Sequence, residues 1–530
     1  MVAAVATASA ARPLNVLMIA VDDLRPSGAA FAHEEVLVPN IDRLASRGTT
    51  FTQAFCQAAT CGVSRSSLLT SRRPDSTYVL GNSECPFTTA SSHGTWQSIP
   101  EYFRASGYTT AGMGKVFHPN ICDGAAKGER SQAWSLPYYH APCISLGSIY
   151  NGTCYESYPG PLPAGPGGKV TSIYSNTSVD ATDDTMPDGM IAAKAVATLD
   201  QLAHSAADKP FFLAVGFHKP HLPHIAPKKY FDMYPLDEVE LPCNASRHAP
   251  VGAPKLSWNG CSEMLSYKDA KHDFAADNFS ELNPVGDRVA RAQRQAYYAA
   301  ASFTDAQIGK VLDKLDALGL TSSTVIALWG DHGWHLGENN EWAKHTAKTW
   351  ANRAPLIFAA PGQADPGSKS AGYAEFVDIM PTLVDLSGLG ELKFCSTAAM
   401  SQTARNCTEG RSLRGVVMGE PNAPSASAAF SQWPVGSNMG YNIFTTASDG
   451  SAVRYTEWVE YDKQSHGPVW SKSAGAELYN HTADPDENIN IAGDPSMASE
   501  AARLSALLHK GWRGTTATHT EDQAPRASRP

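Results

Sequence analysis

The sequence predicts an α/β fold with a mostly parallel central sheet flanked by helices, followed by a smaller antiparallel subdomain at the C-terminus. Continuously apolar runs at residues 14–21 (LNVLMIAV) and 211–217 (FFLAVGF) are typical of strands buried on both faces of a parallel sheet. Helical patterns that end at glycine alternate with such runs. After residue 427, apolar and polar residues alternate within strand-like segments, which indicates antiparallel strands with one solvated face.

The length and composition suggest two folded units. The 530 residues exceed one ordinary domain. A segment rich in proline, alanine and serine at residues 420–427 (EPNAPSAS) reads as a linker. We therefore predict a main α/β domain over residues 12–420, a small α+β subdomain over 428–514 and a disordered tail over 515–530.

Charge and hydropathy exclude some partners. Hydrophobic residues make up 42% and charged residues 18% of the chain, as in a globular protein. The formal net charge of −10 argues against nucleic acid as the main partner. No apolar run is long enough to span a membrane. An anionic substrate stays possible, because a local basic pocket can coexist with an acidic surface.

Sequons and cysteines favour the secretory pathway. The ten cysteines include three close pairs, which read as short-loop disulfides: Cys143 with Cys154, Cys243 with Cys261, and Cys395 with Cys407. The alanine-rich start is interpreted as a trimmed or truncated leader. We predict a secreted or lysosomal protein. Six Asn-x-Ser/Thr sequons occur, at Asn151, Asn176, Asn244, Asn278, Asn406 and Asn480.

Two carboxylates follow the first predicted strand. Asp22 and Asp23 would lie outside the carboxyl end of the strand, where open α/β sheets gather ligands. Adjacent carboxylates repel each other, so a buried pair needs a cation or protonation. The alternative for the pair alone is a solvated loop or a helix cap.

The next segments contain a cysteine followed by an arginine. Residues 39–47 predict a short helix with Gly48 as its left-handed terminator, and residues 51–55 predict a strand. Cys61 would follow in a loop, and a helix over residues 64–70 would direct its N–H groups at an anion. Arg65 would add a permanent fork of donors. A thiol such as Cys61 is otherwise a small buried side chain or half of a disulfide.

Further charged residues follow later strands. A helix over 98–106 and a strand over 109–113 precede Lys115 and His118, and an irregular insertion spans 123–188. The strand at 211–217 ends in a segment with three histidines, which its two prolines keep from forming a zinc-binding helix. A long helix over 288–318 and a strand over 324–329 lead to Asp331 and His332. A strand over 356–359 and a helix over 376–386 complete the pattern, before the C-terminal strands at 441–446 and 453–461 and a final helix near 501–508.

The stretch that begins at Cys61 resembles the type I sulfatase signature, Cys-x-Pro-Ser-Arg-x-x-x-Leu-Thr-Gly-Arg. It departs at Val63, where the family has proline, and at Ser71, where glycine is usual. The segments DDLRP (22–26), GKVFHP (114–119), HKPH (218–221) and EWAK (341–344) are similar to iduronate-2-sulfatase-like enzymes, and GDHG (330–333) is similar to the pattern of the whole family. The signature matches at Cys61, Ser64, Arg65, Leu69, Thr70 and Arg72.

This resemblance implies an alkaline-phosphatase/sulfatase-like fold and hydrolysis of sulfate monoesters, on a sulfated uronic-acid polysaccharide. It implies that a formylglycine-generating enzyme oxidises Cys61 to formylglycine, and that one calcium ion binds per chain. One hydroxyl of the hydrated aldehyde would attack sulfur, and the second would lose its proton to expel sulfate. The catalytic residues it implies are Cys61, Arg65, Lys115, His118, His221 and Lys344. The metal ligands it implies are Asp22, Asp23, Cys61, Asp331 and His332.

Two alternatives remain open at the level of sequence. The same metal-centred site resembles the wider alkaline-phosphatase superfamily, which includes phosphatases and phosphodiesterases. The protein would instead be a non-catalytic sulfated-glycan-binding relative if Val63 prevents conversion of Cys61. Conversion would leave nine cysteines and thus an unpaired thiol, for which the candidates are Cys56, Cys85 and Cys122.

Overall fold

The computed structural model describes residues 12–87, 96–119, 131–141, 175–205, 209–261 and 263–515. Numbered along the chain, its strands are β1 (Asn15–Val21), β2 (Thr49–Phe55), β3 (Thr109–Gly114), β4 (Asn176–Val179), β5 (Phe211–Phe217), β6 (His224–Pro227), β7 (Thr324–Gly330), β8 (His335–Leu336), β9 (Trp342–Ala343), β10 (Leu356–Ala359), β11 (Lys369–Glu375), β12 (Ala428–Val435), β13 (Asn438–Thr446), β14 (Ala452–Asp462) and β15 (Gly467–Asn480). Its α-helices are α1 (Pro39–Ala45), α2 (Cys61–Thr70), α3 (Pro74–Thr77), α4 (Ile99–Ala105), α5 (Pro187–Ser205), α6 (Lys228–Phe231), α7 (Lys268–Ala276), α8 (Asp287–Ala317), α9 (Thr349–Asn352), α10 (Ile379–Leu386), α11 (Ala398–Thr403), α12 (Arg414–Val417) and α13 (Ala498–Thr515).

The central sheet has seven strands in the order β11-β2-β10-β7-β1-β5-β3. Strands β1, β3, β5 and β7 pair in parallel, and β2 and β11 run in the same direction beyond β10. Only β10 among these seven is antiparallel to its neighbours. The carboxyl ends of six strands therefore meet at one edge, which confirms the predicted mostly parallel sheet and positions the loops that carry the site.

Both faces of this sheet are covered by helices. Along β1, Leu17 and Ile19 pack into one core cluster with residues of α1, α5 and α8. Val16 and Met18 point to the opposite cluster, which contains residues of α2, α4 and α10. Because successive side chains of a strand alternate between faces, a strand covered on both faces must be apolar throughout. This explains why β1 is a continuous apolar run.

A second sheet, ordered β12-β13-β14-β15, is fully antiparallel. Ile443 and Leu478 of this sheet pack with Leu504 and Leu508 of α13. The main-chain N–H of Gln432 on β12 donates to the carbonyl of Gln57 at 2.8 Å, which ties this sheet to the loop that follows β2. The predicted antiparallel sheet is thus confirmed. The predicted division into domains at residues 420–428 stays a prediction.

Two local expectations are wrong. Gly48 does not adopt the left-handed backbone conformation. Its role is steric, because a Cβ there would collide with the carbonyl of Phe358 on β10. Cys61 is the first residue of α2 and does not lie in a loop, because Thr60 takes the extended conformation that precedes the helix. Residue 515 of the expected tail is the last residue of α13, and residues 516–530 lie outside the described residues. Residues 123–130 and 142–174 of the expected insertion also lie outside them.

The disulfide predictions have mixed outcomes. Cys395 and Cys407 are bonded as predicted. The expected bond between Cys243 and Cys261 is wrong, since Cys243 is an exposed thiol 3.0 Å from the hydroxyl of Ser246 while Cys261 is a buried thiol in the main core. Among the candidates for the unpaired thiol, Cys85 is excluded because it is disulfide-bonded, whereas Cys56 is a buried free thiol. Cys122, Cys143 and Cys154 lie outside the described residues.

Candidate active site

The candidate residues converge at the carboxyl edge of the central sheet. Asp22 and Asp23 follow β1, and Asp331 and His332 follow β7, the strand that pairs with β1 in register. Lys115 follows β3, which pairs with β5 and so lies on the side of β1 opposite to β7. The parallel topology thus brings together side chains that are separated by about 300 positions in the chain, such as Asp23 and Asp331, whose main-chain N–H and carboxylate lie 2.9 Å apart. His221 and Lys344 join the same group through loops after β5 and β9.

Cys61 lies at the centre of this group. Its thiol sulfur is 3.3 Å from Lys344 Nζ, 3.4 Å from His332 Nε2 and 3.6 Å from Asp23 Oδ1. The side chain is 1% exposed. Burial raises the pKa of the thiol, although the Coulombic attraction of Lys115 opposes the shift. An unmodified Cys61 therefore remains a neutral thiol at neutral pH and is a poor nucleophile.

Arg65 and Lys115 neutralise the first carboxylate. Arg65 Nη2 donates to Asp22 at 2.9 Å, and its Nε donates to Asp331 at 2.9 Å. Lys115 Nζ donates to the other oxygen of Asp22. Burial by itself would raise the pKa of Asp22, but Lys115 and Arg65 hold it well below the ordinary value. Asp22 is therefore ionised, and Arg65, the fifth residue of α2, has the anionic partners that a cation near a helix N-terminus requires.

The second carboxylate, that of Asp23, lies beside a different lysine and two histidines. Lys344 Nζ donates to both oxygens of Asp23, at 2.7 and 2.9 Å. His332 Nε2 lies 3.2 Å from Asp23 Oδ1, and its Nδ1 donates to the carbonyl of Gly333, so Nε2 faces the centre of the site. Burial would raise the pKa of Asp23, but His221, Lys344 and His332 lower it well below its usual range. His221 Nε2 lies 3.9 Å from Asp23.

The carboxylates and their neighbours fit a hard divalent cation. Among the described residues, two overlapping sets have ligand atoms within 4.8 Å of one another: Asp22, Asp23, Cys61 and His221, and Asp23, Cys61, Asp331 and His332. Two oxygens that bind one calcium ion at about 2.3–2.6 Å lie no more than about 5 Å apart. Three buried carboxylates supply the oxygen donors that such an ion prefers. The donor set therefore suits calcium in both chemistry and spacing.

His118 is a candidate base beside the cationic side of the site. Its Nδ1 is buried without a hydrogen-bond partner in the described structure. Burial, together with the positive charges of Lys115 and Arg65, holds its pKa well below the ordinary value. The imidazole is therefore neutral at neutral pH and able to accept a proton.

Several residues of the signature have structural roles. Arg72 is buried and donates to the carbonyls of Ser401 and Ala404 at 2.9 and 3.0 Å. It also donates to Cys407 and so anchors the end of α2 to the disulfide-bonded loop. Ser71 has a left-handed φ of 51°, which is the conformation that favours glycine. Its hydroxyl donates to the carbonyl of Val377 at 2.5 Å.

The remaining histidines near the motifs pack inside the protein. His218 Nδ1 contacts Asp188 at 3.2 Å, and His224 is buried in edge contact with the rings of Tyr297 and Trp334. His335 is buried with its Nε2 3.0 Å from the hydroxyl of Thr346. These contacts give His218, His224 and His335 structural roles.

Two residues at the site were missed by the sequence analysis. Asn82 accepts a hydrogen bond from the main-chain N–H of Gly62 at 2.8 Å, which satisfies a free donor at the start of α2. Glu263 Oε1 lies 3.4 Å from Lys344 Nζ and 3.7 Å from His221 Nε2. Burial raises the pKa of Glu263, and the attraction of Lys344 opposes the shift. Both residues lie in irregular segments, where no periodic pattern marks a side chain as functional.

Comparison with known proteins agrees with this geometry. The model of the Sulfatase family matches residues 14–389. The human protein named Iduronate 2-sulfatase is 33% identical over 93% of this chain and 93% of its own length. A protein of Formosa agariphila named Sulfatase is 32% identical over 94% of this chain and 86% of its own. The solved structure of BT1596, described as a 2-O GAG sulfatase, has a TM-score of 0.64 at 20% identity, covering 94% of this chain and 92% of that one.

The match of the family model, the identity to full-length relatives and the shared fold lead to one conclusion, which the charged cluster around Cys61 supports. The chain belongs to the sulfatase family and is a sulfuric ester hydrolase.

Proposed function

We propose that the protein removes a sulfate ester from a uronic-acid-containing polysaccharide, with Cys61 converted to formylglycine and one calcium ion bound per chain. The observation that carries the proposal is the position of Cys61, whose sulfur lies 3.3–3.6 Å from a lysine, a histidine and an aspartate at the end of the central sheet. A cysteine in a purely structural role has no need of three charged or polar neighbours at this distance.

The calcium ion and the formylglycine each supply a different kind of chemistry. When bound, calcium supplies positive charge that stabilises negative charge developing on the sulfate and the nucleophile. Oxidised to formylglycine, position 61 supplies a hydrated aldehyde with two hydroxyl groups on one carbon. The residues proposed to hold the ion are Asp22, Asp23, Asp331, His332 and position 61 itself.

The other side chains bind the sulfate and move protons. Lys115 and Lys344 carry permanent charge inside a buried site, where each is worth more than in water, and they neutralise sulfate oxygens. Burial lowers the pKa of His221 to about 3, so its imidazole is uncharged at neutral pH and donates a hydrogen bond to a sulfate oxygen. Arg65 fixes Asp22 and Asp331 in place through hydrogen bonds of 2.9 Å. His118, neutral at neutral pH, accepts the proton of a hydroxyl at position 61.

The proposed substrate class rests on the relatives. The name Iduronate 2-sulfatase describes a relative that acts on a sulfated uronic acid. The cationic site supports an anionic substrate despite the net charge of −10. We further propose that a formylglycine-generating enzyme acts on the chain in the secretory pathway, and that the product is secreted or lysosomal. Within the described residues, every helix is too short or too polar to cross a bilayer.

The proposal is tested by one mass measurement and one activity comparison. The peptide that contains position 61, taken from protein made with the formylglycine-generating enzyme, should have the mass of the aldehyde and react with a hydrazide. The same preparation should release sulfate from 4-nitrophenyl sulfate far faster than phosphate from 4-nitrophenyl phosphate, and Cys61→Ala should abolish sulfate release. A thiol at position 61 together with sulfate release equal to that of Cys61→Ala would overturn the proposal.

A further inference from the structure

Glu263 and His221 form the accessible side of the site. Their side chains are 19% and 18% exposed, respectively. The side chains of Asp23 and Lys344 beneath them are 0% and 1% exposed. Of these four side chains, Glu263 and His221 are the two that solvent reaches, so a substrate that approaches Lys344 from their side contacts them first.

The carboxylate of Glu263 has an unused acceptor. Its Oε1 contacts Lys344 and His221, at 3.4 and 3.7 Å. Its Oε2 is buried and has no hydrogen-bond partner among the described residues. A buried carboxylate oxygen without a partner is costly, because it has lost water and gained nothing in return. Rotation of the carboxyl group toward the exposed side of Glu263 would let a donor on the substrate pair with this oxygen and remove the cost.

Glu263 is a fourth carboxylate at the site and is not one of the proposed metal ligands, so its presence beside groups that bind an anion is unexpected. Its negative charge opposes sulfate binding, so it requires a compensating role. The hydroxyls of a sugar are donors, and a carboxylate is a strong acceptor for them. The hydroxyl on the carbon next to a sulfate ester lies beside the ester oxygen, and so within the reach of a side chain that touches the sulfate-binding groups.

We propose that Glu263 determines substrate specificity by accepting a hydrogen bond from the sugar hydroxyl adjacent to the sulfate ester. The inference rests on the proposed function. In a uronic acid 2-sulfate within a polysaccharide, carbon 1 is engaged in the glycosidic bond, so this donor is the 3-hydroxyl. The same carboxylate repels a second sulfate at that position, and a substrate sulfated at both carbons is rejected.

The test compares three substrates and three variants. The substrates are the methyl glycoside of iduronic acid 2-sulfate, its 3-deoxy analogue and its 2,3-disulfate. The variants are Glu263→Ala, Glu263→Gln and Glu240→Ala, the last an exposed glutamate that serves as control. Sulfate release is measured as kcat/KM for each pair, and thermal melting establishes that each variant is folded.

The wild type should prefer the 2-sulfate over the 3-deoxy analogue by about 10- to 100-fold, since a hydrogen bond to a charged acceptor contributes that much. Glu263→Ala should erase the preference, and Glu263→Gln, which keeps one acceptor oxygen without the charge, should retain part of it and accept the 2,3-disulfate better. Glu240→Ala should match the wild type.

A carboxylate that only positions Lys344 would lower kcat/KM equally for the 2-sulfate and the 3-deoxy analogue. An unchanged ratio in Glu263→Ala therefore overturns the inference. Absence of sulfate release from every substrate by the wild type would instead overturn the proposed function, so the two failures are distinguishable.

Discussion

Lys344 and Asp23 form a buried ion pair in which Nζ donates to both carboxylate oxygens, at 2.7 and 2.9 Å. The same Nζ lies 3.3 Å from the sulfur of Cys61. The pair therefore links a proposed metal ligand, a proposed sulfate-binding cation and the proposed nucleophile position. Removing one partner affects all three, which makes this pair the most informative place to begin mutagenesis.

Lys344→Ala should lower kcat/KM for 4-nitrophenyl sulfate by about 10²–10³-fold, because it removes a preorganised positive charge from a buried site. Lys268→Ala, which removes an exposed lysine of α7, is the control and should leave activity unchanged. Initial rates over a range of substrate concentrations, with melting curves for both variants, make the measurement. Retention of activity within threefold in Lys344→Ala would contradict a role in sulfate binding.

Some residues of the site are predicted to follow strands from the apolar pattern of the sequence, and others are predicted only by a motif. The strand patterns predict only that Asp22 and Asp331 follow strand ends, and the pairing of β1 with β7 brings these ends together. Their role as metal ligands is predicted only by the resemblance to the sulfatases. Lys344 was predicted only through its motif, since it follows the two-residue strand β9, which has no periodic signal.

Other features could not be predicted, because they depend on contacts between distant segments. Glu263 approaches Lys344 from an irregular segment. Gly48 is required by the carbonyl of Phe358 on a neighbouring strand, and not by its own backbone conformation. Cys243 and Cys261 are close in sequence but face different surroundings, one exposed and one in the core. Spacing along the chain does not determine any of these relationships.

Removal of calcium should abolish activity without unfolding the protein. Asp22 is neutralised by Arg65 and Lys115, and Asp23 by Lys344, so these carboxylates keep ionic partners when no metal is bound. Dialysis against EDTA should eliminate sulfate release and leave the far-ultraviolet circular dichroism spectrum intact. Added calcium should restore activity, with one ion per chain by elemental analysis. Full activity after the metal content has fallen below one-tenth of an ion per chain would contradict the proposed site.

Asp331→Asn is the matched variant for the metal experiment. It removes one proposed ligand charge and the ionic partner of Arg65 Nε, which lies 2.9 Å away. The variant should require a higher calcium concentration for half-maximal activity than the wild type. Asp313→Asn changes an exposed aspartate of α8 that pairs with Arg43, and its calcium dependence should equal that of the wild type. Equal calcium dependence in Asp331→Asn and the wild type would remove Asp331 from the ligand set.

His118→Ala should lower kcat by about 10²–10⁴-fold, the usual contribution of a general base. Because burial and the charges of Lys115 and Arg65 hold the pKa of His118 well below its ordinary value, the base is already deprotonated at pH 6.5. The wild-type rate should therefore fall only at a more acidic pH than a free histidine would produce. The pH–rate profile of His118→Ala should lack this fall in rate at acidic pH, and the exposed control His204→Ala should keep it. If the rate of His118→Ala falls at the same pH as that of the wild type, His118 is not the base.

Glu487 connects β14 of the antiparallel sheet to helix α9 through buried polar contacts. Its carboxylate accepts hydrogen bonds from Arg454 at 2.7 and 2.9 Å, and from the hydroxyl of Thr349 at 2.6 Å. Arg454 and Glu487 are both 0% exposed. Glu487→Gln should lower the free energy of unfolding by about 3–5 kcal/mol at neutral pH, because it leaves a buried arginine with an incompletely paired charge.

The pH dependence of this effect has a definite sign. Burial would raise the pKa of Glu487, but Arg454 and His481 hold it well below the ordinary value. The stabilisation is therefore present above the unfolded-state pKa of about 4.3 and is lost as the pH falls through the lower folded-state pKa. The midpoints of urea unfolding of the wild type and Glu487→Gln should differ clearly at pH 7 and converge in acid. Glu460→Gln breaks an exposed pair with Lys472 and should change the free energy of unfolding by no more than about 1 kcal/mol. If Glu487→Gln and Glu460→Gln unfold at the same urea concentration at pH 7, the buried pair does not stabilise the junction.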